Sequence, residues 1–378
     1  MTGLAALPTP ALLVDRARFD ANAARMRAQL AQAGGPVLRA HLKTVKSVPA
    51  ALRLLGGSDR PITVSTLLEA ERFAEAGFRD ILYAVGIAPG KLPQVLALRH
   101  RGVDLMIVTD NLAAAQAVAA ASRAAGEAIP VLIEIDSDGH RAGVRPGDAG
   151  LLLAIAETLG QGAALRGVMT HAGGSYAEST TEGLARAAAA ERDAVVQAAA
   201  TLRQAGHPAP IVSVGSTPTA LAAADLAGVT EVRAGVYAFF DLVMAGIGAC
   251  RLDEIALSVL TEVIGHRRDR GWILVDAGWM AMSRDRGTAG QAVDQGYGLA
   301  CDLAGRPYPD LIMTGTHQEH GILSLRPGSG APLPDLPVGR RLRILPNHAC
   351  ATAAQFDRYH LLGAGNAVEE IWPRFNGW

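Results

Sequence analysis

The feature of the sequence that most constrains its fold is a regular alternation before about residue 245. Short apolar runs rich in β-branched residues, each the length of a buried strand, alternate with longer Ala-, Leu- and Glu-rich segments that are typical of helices. Eight such runs occur, at residues 37–43, 62–66, 80–85, 104–110, 130–136, 165–171, 211–217 and 231–240. A closed parallel barrel requires eight strands separated by helices, whereas an open doubly wound sheet more often has about five or six. The sequence therefore predicts a TIM-like (β/α)8 barrel, an α/β fold, over residues 1–245.

The pattern of residue types changes near residue 255. Helical stretches nearly vanish, and short alternating or apolar runs separated by turn residues take their place, at residues 256–264, 272–276, 341–345 and 367–372. This pattern predicts a second, mostly β domain over residues 246–378. A further short run at residues 10–15 is compatible with a strand in either domain.

Composition and charge narrow the class of partner. A chain of 378 residues with 49% hydrophobic content exceeds the usual single core, in agreement with two domains. The net charge of -1, from 35 basic and 36 acidic residues, predicts binding to a small molecule rather than to nucleic acid or a membrane surface. No apolar run reaches the roughly 20 residues of a membrane-spanning helix. Three widely spaced cysteines, and an opening segment without the pattern of a signal peptide, predict a cytoplasmic location.

Lys43 ends the first predicted strand, at the edge where barrels keep their catalytic groups. A lysine amine forms a Schiff base readily once burial or nearby positive charge lowers its pKa. Pyridoxal 5'-phosphate (PLP) is therefore the first cofactor to test. A lysine that is merely solvated at a strand end is the alternative that this segment alone leaves open.

Glycine-bearing turns follow the seventh and eighth predicted strands. Ser, Thr and Pro before a helical run are typical of a helix start, and glycine there lets backbone N–H groups approach an anion. Barrels frequently bind a phosphate between these two loops. The predicted phosphate cradle consists of Gly215, Ser216, Thr217, Gly235, Val236 and Tyr237. An ordinary helix cap followed by a tight turn fits the spacing equally well.

Two further loops carry candidate site residues on the same rim as Lys43. Arg141, in the loop after the fifth strand, can reach a ring nitrogen, and a surface salt bridge with a neighbouring acid is the alternative. His171 and Tyr176 flank a flexible turn after the sixth strand. They are candidates for catalysis or for positioning the cofactor and the substrate.

His348 and Cys350 are the candidate metal ligands. If they lie on a strand, side chains two residues apart point the same way and can present an imidazole and a thiolate to one ion. Two protein ligands leave open positions, as a Lewis acid requires. Zinc is the expected ion, with manganese, magnesium and cobalt as alternatives. A buried free cysteine beside a histidine is the reading without a metal.

The chain resembles the D-threonine aldolase and D-serine dehydratase group of fold-type III PLP enzymes, whose barrel is related to that of alanine racemase. The matching segments span nearly the whole chain, at residues 41–44, 66–70, 134–144, 215–219, 275–278, 318–321 and 346–350. The resemblance implies that Lys43 carries PLP, and that Arg141 meets the pyridine nitrogen. It also implies that the two glycine turns hold the phosphate, that His348 with Cys350 binds a divalent metal, and that the protein is a homodimer. Val45 is a departure, because many relatives have a polar residue there.

Cys350 favours one reaction of the group, since its aldolases usually carry Asp at this position and its dehydratases carry Cys. We expect a PLP- and metal-dependent lyase in which Lys43 also removes the Cα proton. Water would be eliminated from a D-3-hydroxy amino acid, D-threo-3-hydroxyaspartate or D-serine, to give a 2-oxo acid and ammonia. Retro-aldol cleavage of D-threonine or 3-hydroxy-D-aspartate to glycine stays open, as does a non-catalytic PLP carrier. Arg284 or Arg286 is a candidate for the second substrate carboxylate, and an arginine pair in a solvated loop is the alternative.

Overall fold

The structure, a computed structural model, describes residues 2–378. The strands are β1 Thr2–Gly3, β2 Ala11–Asp15, β3 Val37–Leu38, β4 Ala40–His41, β5 Ile62–Val64, β6 Asp80–Gly86, β7 Asp104–Thr109, β8 Pro130–Ile135, β9 Ala164–Thr170, β10 Ile211–Val214, β11 Glu231–Val232, β12 Leu257–Arg267, β13 Trp272–Val275, β14 Leu299–Cys301, β15 Pro307–Thr316, β16 Gly321–Leu325, β17 Arg341–Leu345, β18 Arg358–Leu362 and β19 Ala367–Pro373. The helices are α1 Arg16–Gln32, α2 Val48–Leu55, α3 Leu67–Glu75, α4 Leu92–His100, α5 Leu112–Ala125, α6 Ala149–Leu159, α7 Thr181–Gln204, α8 Thr217–Ala222, α9 Leu242–Gly246, α10 Trp279–Met282 and α11 Ala349–Ala353.

The chain divides into two compact units, each of which is interrupted in sequence. The barrel unit consists of Arg25–Lys43, Ala51–Gly235 and Gly377–Trp378. The β unit consists of Met1–Ala24, Thr44–Ala50 and Val236–Asn376. The predicted division into one domain over residues 1–245 and a second over residues 246–378 stays a prediction.

The barrel unit is built on nine parallel strands in the order β3-β11-β10-β9-β8-β7-β6-β5-β4. The two outermost strands, β3 and β4, are halves of one segment separated by a single residue. Backbone N–H groups of this segment donate to Val232 and Ala234 on one side, while Leu42 donates to Thr63 on the other. The sheet therefore closes on itself with eight strands in sequence, and the predicted (β/α)8 barrel is confirmed.

The interior of the barrel is mostly apolar. One buried cluster combines side chains of four strands, namely Leu82, Met106, Val108, Leu132 and Met169. These strands are covered on both faces, which explains why they are nearly continuous apolar runs in the sequence. Charged residues are buried there as well, among them Arg39, the residue between β3 and β4, which pairs with Glu231 at 2.7 Å and with Asp80 at 2.5 Å.

The β unit contains a ten-stranded sheet in the order β1-β19-β18-β2-β12-β13-β16-β15-β14-β17. An additional antiparallel pairing between β12 and β17 closes six of these strands into a ring. The run at residues 10–15 belongs here, because β2 pairs antiparallel with β12 and parallel with β18. The second part of the chain is thus mostly β, as predicted.

Within the described residues, no helix combines the length and the apolar character that are needed to cross a membrane.

Candidate active site

Lys43 lies two residues beyond β4, at the end of the first barrel strand. The imidazole of His41, the last residue of β4, has a pKa well below its ordinary value, first because it is buried and then because the positive charges of Lys43 and Arg233 act on it. A hydrogen bond with the backbone of Thr63 opposes this shift. His41 is therefore neutral at neutral pH. Its Nδ1 atom is buried and has no hydrogen-bond partner among residues 2–378.

A cavity in the barrel unit brings three of the predicted site residues together. Its volume is about 360 Å³, and its lining is His140, Arg141, His171, Gly173, Tyr176 and Ala177. Small-molecule sites are typically clefts of roughly 300–1,000 Å³, so the cavity has the size for a small ligand. The ring centroids of His171 and Tyr176 lie 6.3 Å apart at this site.

His171 is fixed in one orientation. Its Nδ1 atom lies 2.6 Å from the carbonyl oxygen of Gly215, so the Nδ1 hydrogen is donated and Nε2 remains as the acceptor nitrogen. Burial lowers the pKa of His171 to about 4, against the opposing effect of the Gly215 hydrogen bond. The cavity is therefore lined by a neutral imidazole at neutral pH.

Arg141 forms an ion pair with an acid, which was the alternative to a contact with a ring nitrogen. Its guanidinium lies 3.6 Å from a carboxylate oxygen of Glu134, while its side chain is 59% exposed. Burial raises the pKa of Glu134, and the charge of Arg141 acts in the opposite direction. A guanidinium has five N–H donors, so this single ion pair leaves donors for a ligand in the cavity.

The first predicted phosphate turn is a capped helix start. Ser216 precedes α8, whose first residue is Thr217, and its hydroxyl accepts the N–H of Thr219 at 3.2 Å. A Cβ atom at Gly215 would lie 2.2 Å from the carbonyl oxygen of Arg233, so this position admits only glycine without a backbone shift. The turn therefore has a fixed path before any ligand binds.

Glu191, which the sequence did not single out, holds this turn. One of its carboxylate oxygens accepts the N–H of Gly215 at 2.9 Å and the N–H of Ala172 at 3.1 Å. Burial raises the pKa of Glu191, against these hydrogen bonds and the charge of Arg233. Because the Gly215 N–H is already donated, it is not available to a phosphate. Glu191 lies in the middle of the long helix α7, where no motif or strand end marks it.

The second predicted phosphate turn runs across the division between the two units, since Gly235 belongs to the barrel unit and Val236 to the β unit. The carbonyl of Val236 accepts the N–H of Phe240 at 2.7 Å, and the side chain of Tyr237 is fully buried. The role of Gly235, Val236 and Tyr237 in binding phosphate stays a prediction.

His348 and Cys350 do not lie on a strand, and the geometry that we assumed for them is wrong. Strand β17 ends at Leu345, directly before a proline, and His348 precedes α11 so that Cys350 falls in the first turn of this short helix. The thiol of Cys350 nevertheless acts on the imidazole of His348 and raises its pKa. The start of a helix, rather than a strand, therefore brings His348 and Cys350 near each other.

A carboxylate and a thiol act on the His348 ring. Its Nδ1 atom lies 3.0 Å from a carboxylate oxygen of Asp285. Burial lowers the pKa of His348, but the hydrogen bonds with Asp285 and Cys350 outweigh it and raise this pKa to about 11. The same contact holds the pKa of Asp285 below its ordinary value. Within residues 2–378, no group of three or more His, Cys, Asp or Glu side chains converges as a metal site. The assignment of His348 and Cys350 as metal ligands stays a prediction.

The segment that follows Lys43 in the chain is anchored within the β unit. The thiol of Cys350 donates to the hydroxyl of Thr44 at 3.4 Å. The hydroxyl of Tyr359 donates to the carbonyl of Val45 at 2.7 Å and accepts from Arg374 at 2.8 Å. The guanidinium of Arg374 also donates to the carbonyl of the last residue of α11. Hydrogen bonds therefore connect the residues after Lys43 to the helix that carries Cys350.

Each arginine of the loop after α10 contacts an aromatic ring. The guanidinium of Arg284 lies 4.6 Å from the ring centroid of Trp279. Arg286 lies over the ring of Tyr297 at 4.9 Å and pairs with Asp294 at 2.6 Å. Cation–π contacts of this kind order both side chains. Binding of a substrate carboxylate by either one stays a prediction.

Two known protein families match the chain, one before and one after about residue 250. A family profile described as "Alanine racemase, N-terminal domain" matches residues 14–243, and one described as "Putative serine dehydratase domain" matches residues 256–362. The chain belongs to the family of PLP-dependent lyases that combine an alanine racemase-type barrel with a serine dehydratase domain, so the predicted family is confirmed.

Individual relatives span the full chain. The chain is 57% identical to D-threo-3-hydroxyaspartate dehydratase of Delftia sp. (strain HT23), over 99% of both proteins. The solved structure of that enzyme covers all of both chains with a TM-score of 0.97. Two variants of a D-threo-3-hydroxyaspartate dehydratase have also been solved, in which a histidine and a cysteine two positions apart are replaced by alanine. The structure of the cysteine variant is described as the metal-free form. D-serine dehydratase of Schizosaccharomyces pombe is 30% identical, over 98% of this chain and 92% of that protein. The structure of D-threonine aldolase from Filomicrobium marinum is 25% identical, with a TM-score of 0.83 over 99% of this chain and 97% of that one.

Proposed function

We propose that this protein eliminates water from a D-3-hydroxy amino acid, with D-threo-3-hydroxyaspartate as the first substrate to test. The products are a 2-oxo acid and ammonia. The observation that carries the proposal is the 57% identity, over 99% of both chains, to a dehydratase of that compound. Cys350, at the position where the family's dehydratases differ from its aldolases, supports elimination over aldol cleavage.

The barrel unit fits PLP. The buried Nδ1 atom of His41 has no partner within the described chain, and the cavity lined by Arg141 and His171 has the size of a small-ligand site. Lys43 would carry the cofactor, and Arg141 would meet its ring nitrogen. Bound PLP supplies an electron sink for the charge left by removal of the Cα proton.

The phosphate would lie at the two glycine turns. Because the Gly215 N–H is donated to Glu191, the donors of the first turn are Ser216 and Thr217. Gly235, Val236 and Tyr237 would form the other side of this cradle. The buried Gly215 turn is shaped in advance, which lowers the entropic cost of binding an anion there.

Lys43 would act a second time as the base, with its Nζ atom taking the Cα proton on the face of the substrate that it meets. His171 is neutral, and its Nδ1–H is already donated to Gly215, so its Nε2 atom is an acceptor for a substrate or cofactor donor. Tyr176, in the same cavity, would hold the ring or the substrate. The neutral imidazoles of His41 and His171 add no charge beside Lys43, the proposed base.

His348 and Cys350 would hold a divalent metal, for which zinc is our proposal and manganese, magnesium or cobalt the alternatives. The thiol of Cys350 raises the pKa of His348, so the two side chains are near enough to act on each other, which suits one ion between them. A solved cysteine variant of a D-threo-3-hydroxyaspartate dehydratase, described as the metal-free form, supports this assignment. A metal bound there supplies a Lewis acid toward the β-hydroxyl group.

The decisive experiment is a product assay on D-threo-3-hydroxyaspartate, D-serine and D-threonine, each with and without a chelator. We expect ammonia and a 2-oxo acid, loss of activity on chelation, and no product from the L-enantiomers. Cys350→Ala should lose activity, whereas Cys301→Ala, which alters a buried thiol in strand β14, should keep it. Glycine as the main product would refute elimination and favour the aldolase. An absence of turnover on all three substrates would favour a carrier.

We further propose a cytoplasmic homodimer. Three widely spaced cysteines support a reducing compartment, and the family resemblance supports the dimer. Light scattering of the purified protein tests the dimer directly, and a monomer at micromolar concentration would contradict it.

A further inference from the structure

The loop between α10 and β14 brings a carboxylate to the candidate metal pair. An oxygen of Asp285 in this loop lies 3.0 Å from the Nδ1 atom of His348. The other oxygen accepts the N–H of Gly287 at 2.7 Å, so the carboxylate is itself held in place. Asp285 therefore meets His348 in a defined orientation rather than as a mobile surface acid.

This contact determines which nitrogen of His348 is available to another group. The carboxylate accepts from Nδ1 and keeps the hydrogen on that nitrogen, so Nε2 is the nitrogen whose proton an ion can displace to reach a lone pair. With Nδ1 engaged by Asp285, the nitrogen that can share an ion with the thiolate is Nε2. Histidine ligands of metals are commonly oriented in this way by a carboxylate on their other nitrogen.

The backbone around the pair is fixed by the same loop. The amide of Asn347 donates to the carbonyl of Gly296 at 2.6 Å and accepts from the hydroxyl of Thr288 at 2.7 Å. It also donates to the carbonyl of Asp285 at 3.2 Å. The loop and the residue that precedes His348 are thus one hydrogen-bonded structure, which holds Asp285 and His348 at their observed separation.

We propose that Asp285 is a positioning residue that sets the divalent-metal affinity of His348 and Cys350 by fixing the His348 ring with Nε2 toward the ion. The inference rests on the proposed function, in which these two residues hold a metal. Asp285 acts through His348 and is not itself a ligand, since its oxygens are engaged by the ring and by Gly287. Acids in contact with metal-bound histidines typically contribute a factor of roughly 10–100 to metal affinity.

The test is the dissociation constant for Zn2+ and Co2+, measured by competition with a chromophoric chelator on the full chain. Asp285→Ala should weaken binding on the order of 10- to 100-fold. Asp285→Asn keeps an acceptor without the charge and should weaken it less. The matched control is Asp294→Asn, in the same loop, because Asp294 pairs with Arg286 and not with the ring. The thiolate-to-Co2+ absorption band should persist in all three variants, since Cys350 remains a ligand.

Each outcome discriminates. Wild-type affinity in Asp285→Ala overturns the inference, and so does an equal loss in Asp294→Asn, which would assign the effect to the loop as a whole. If circular dichroism shows that Asp285→Ala is unfolded, Asp285→Asn decides, and wild-type affinity in that variant overturns the inference. If the wild type binds no metal, or His348→Ala binds it as tightly, the proposed metal site itself is refuted, together with the role of Asp285.

Discussion

Glu191 offers the sharpest quantitative test of the barrel unit. Its side chain is 2% exposed, and one of its oxygens accepts two buried backbone N–H groups, those of Gly215 and Ala172. Glu191→Ala would leave both donors without an acceptor. A buried donor that loses its partner costs about 1–3 kcal/mol, so the loss should be about 2–6 kcal/mol, before any cost of the cavity left behind.

Glu191→Gln separates the hydrogen bonds from the charge. The glutamine oxygen can accept both N–H groups. Loss of the negative charge is offset because burial already disfavours the charged form of Glu191 and raises its pKa. An acid with a raised pKa in the folded state binds more protons there, so its stabilising effect is present at low pH and is lost as pH rises from its ordinary value of 4.5 through the raised value. Glu191→Gln should therefore gain stability relative to the wild type over that pH interval.

The assay is thermal unfolding, followed by circular dichroism, together with the PLP content of the purified protein. For a unit of this size, 2–6 kcal/mol corresponds to a fall in midpoint on the order of 5–15 °C. PLP content should fall as well, because the turn at Gly215 loses its anchor. Glu182→Ala is the matched control, since Glu182 is an exposed residue in the first turn of the same helix. If Glu191→Ala unfolds no earlier than Glu182→Ala, the carboxylate does not hold the turn.

Two further substitutions test neighbouring contacts. Gly215→Ala would place a Cβ atom 2.2 Å from the Arg233 carbonyl oxygen. We expect the free energy of unfolding to fall by about 1–3 kcal/mol and the PLP content to be reduced. Gly147→Ala, where no atom lies within 4 Å, should behave as the wild type. Tyr359→Phe removes the hydroxyl that donates to the Val45 carbonyl. It should lower the unfolding midpoint by the equivalent of about 1–3 kcal/mol and reduce kcat, with PLP content unchanged. An unchanged kcat would show that this hydrogen bond does not position the residues after Lys43.

The barrel could be predicted because its signal is local. Strands buried on both faces are short continuous apolar runs, and each is followed by a segment with helical composition. The assignment of residues 11–15 to the β unit could not be predicted, since it depends on pairing with β12 and β18, more than 240 positions away in the chain. The buried Arg39 between β3 and β4 was also missed, because its partners Glu231 and Asp80 are distant in sequence.

The candidate site was predicted where chemistry coincides with a strand end or a motif. Arg141, His171 and Tyr176 were selected by their positions after barrel strands, and all three line one cavity. His348 and Cys350 were selected by a spacing rule for strands, although they meet at a helix start. The residues that hold these groups lie inside helices and loops and act through single hydrogen bonds, for which the sequence has no periodic signal.

Each unit holds its candidate binding loop with a buried carboxylate. In the barrel unit, Glu191 accepts the N–H of Gly215, two residues before α8. In the β unit, Asp241 is 1% exposed and accepts the N–H of Ala349, the first residue of α11, at 2.9 Å. Burial raises the pKa of both acids. Because backbone N–H groups at a helix start otherwise need an external partner, these acids satisfy them internally and fix both loops before a ligand arrives. Binding of the proposed cofactor and metal would then not have to fold these loops, which lowers the entropic cost of binding.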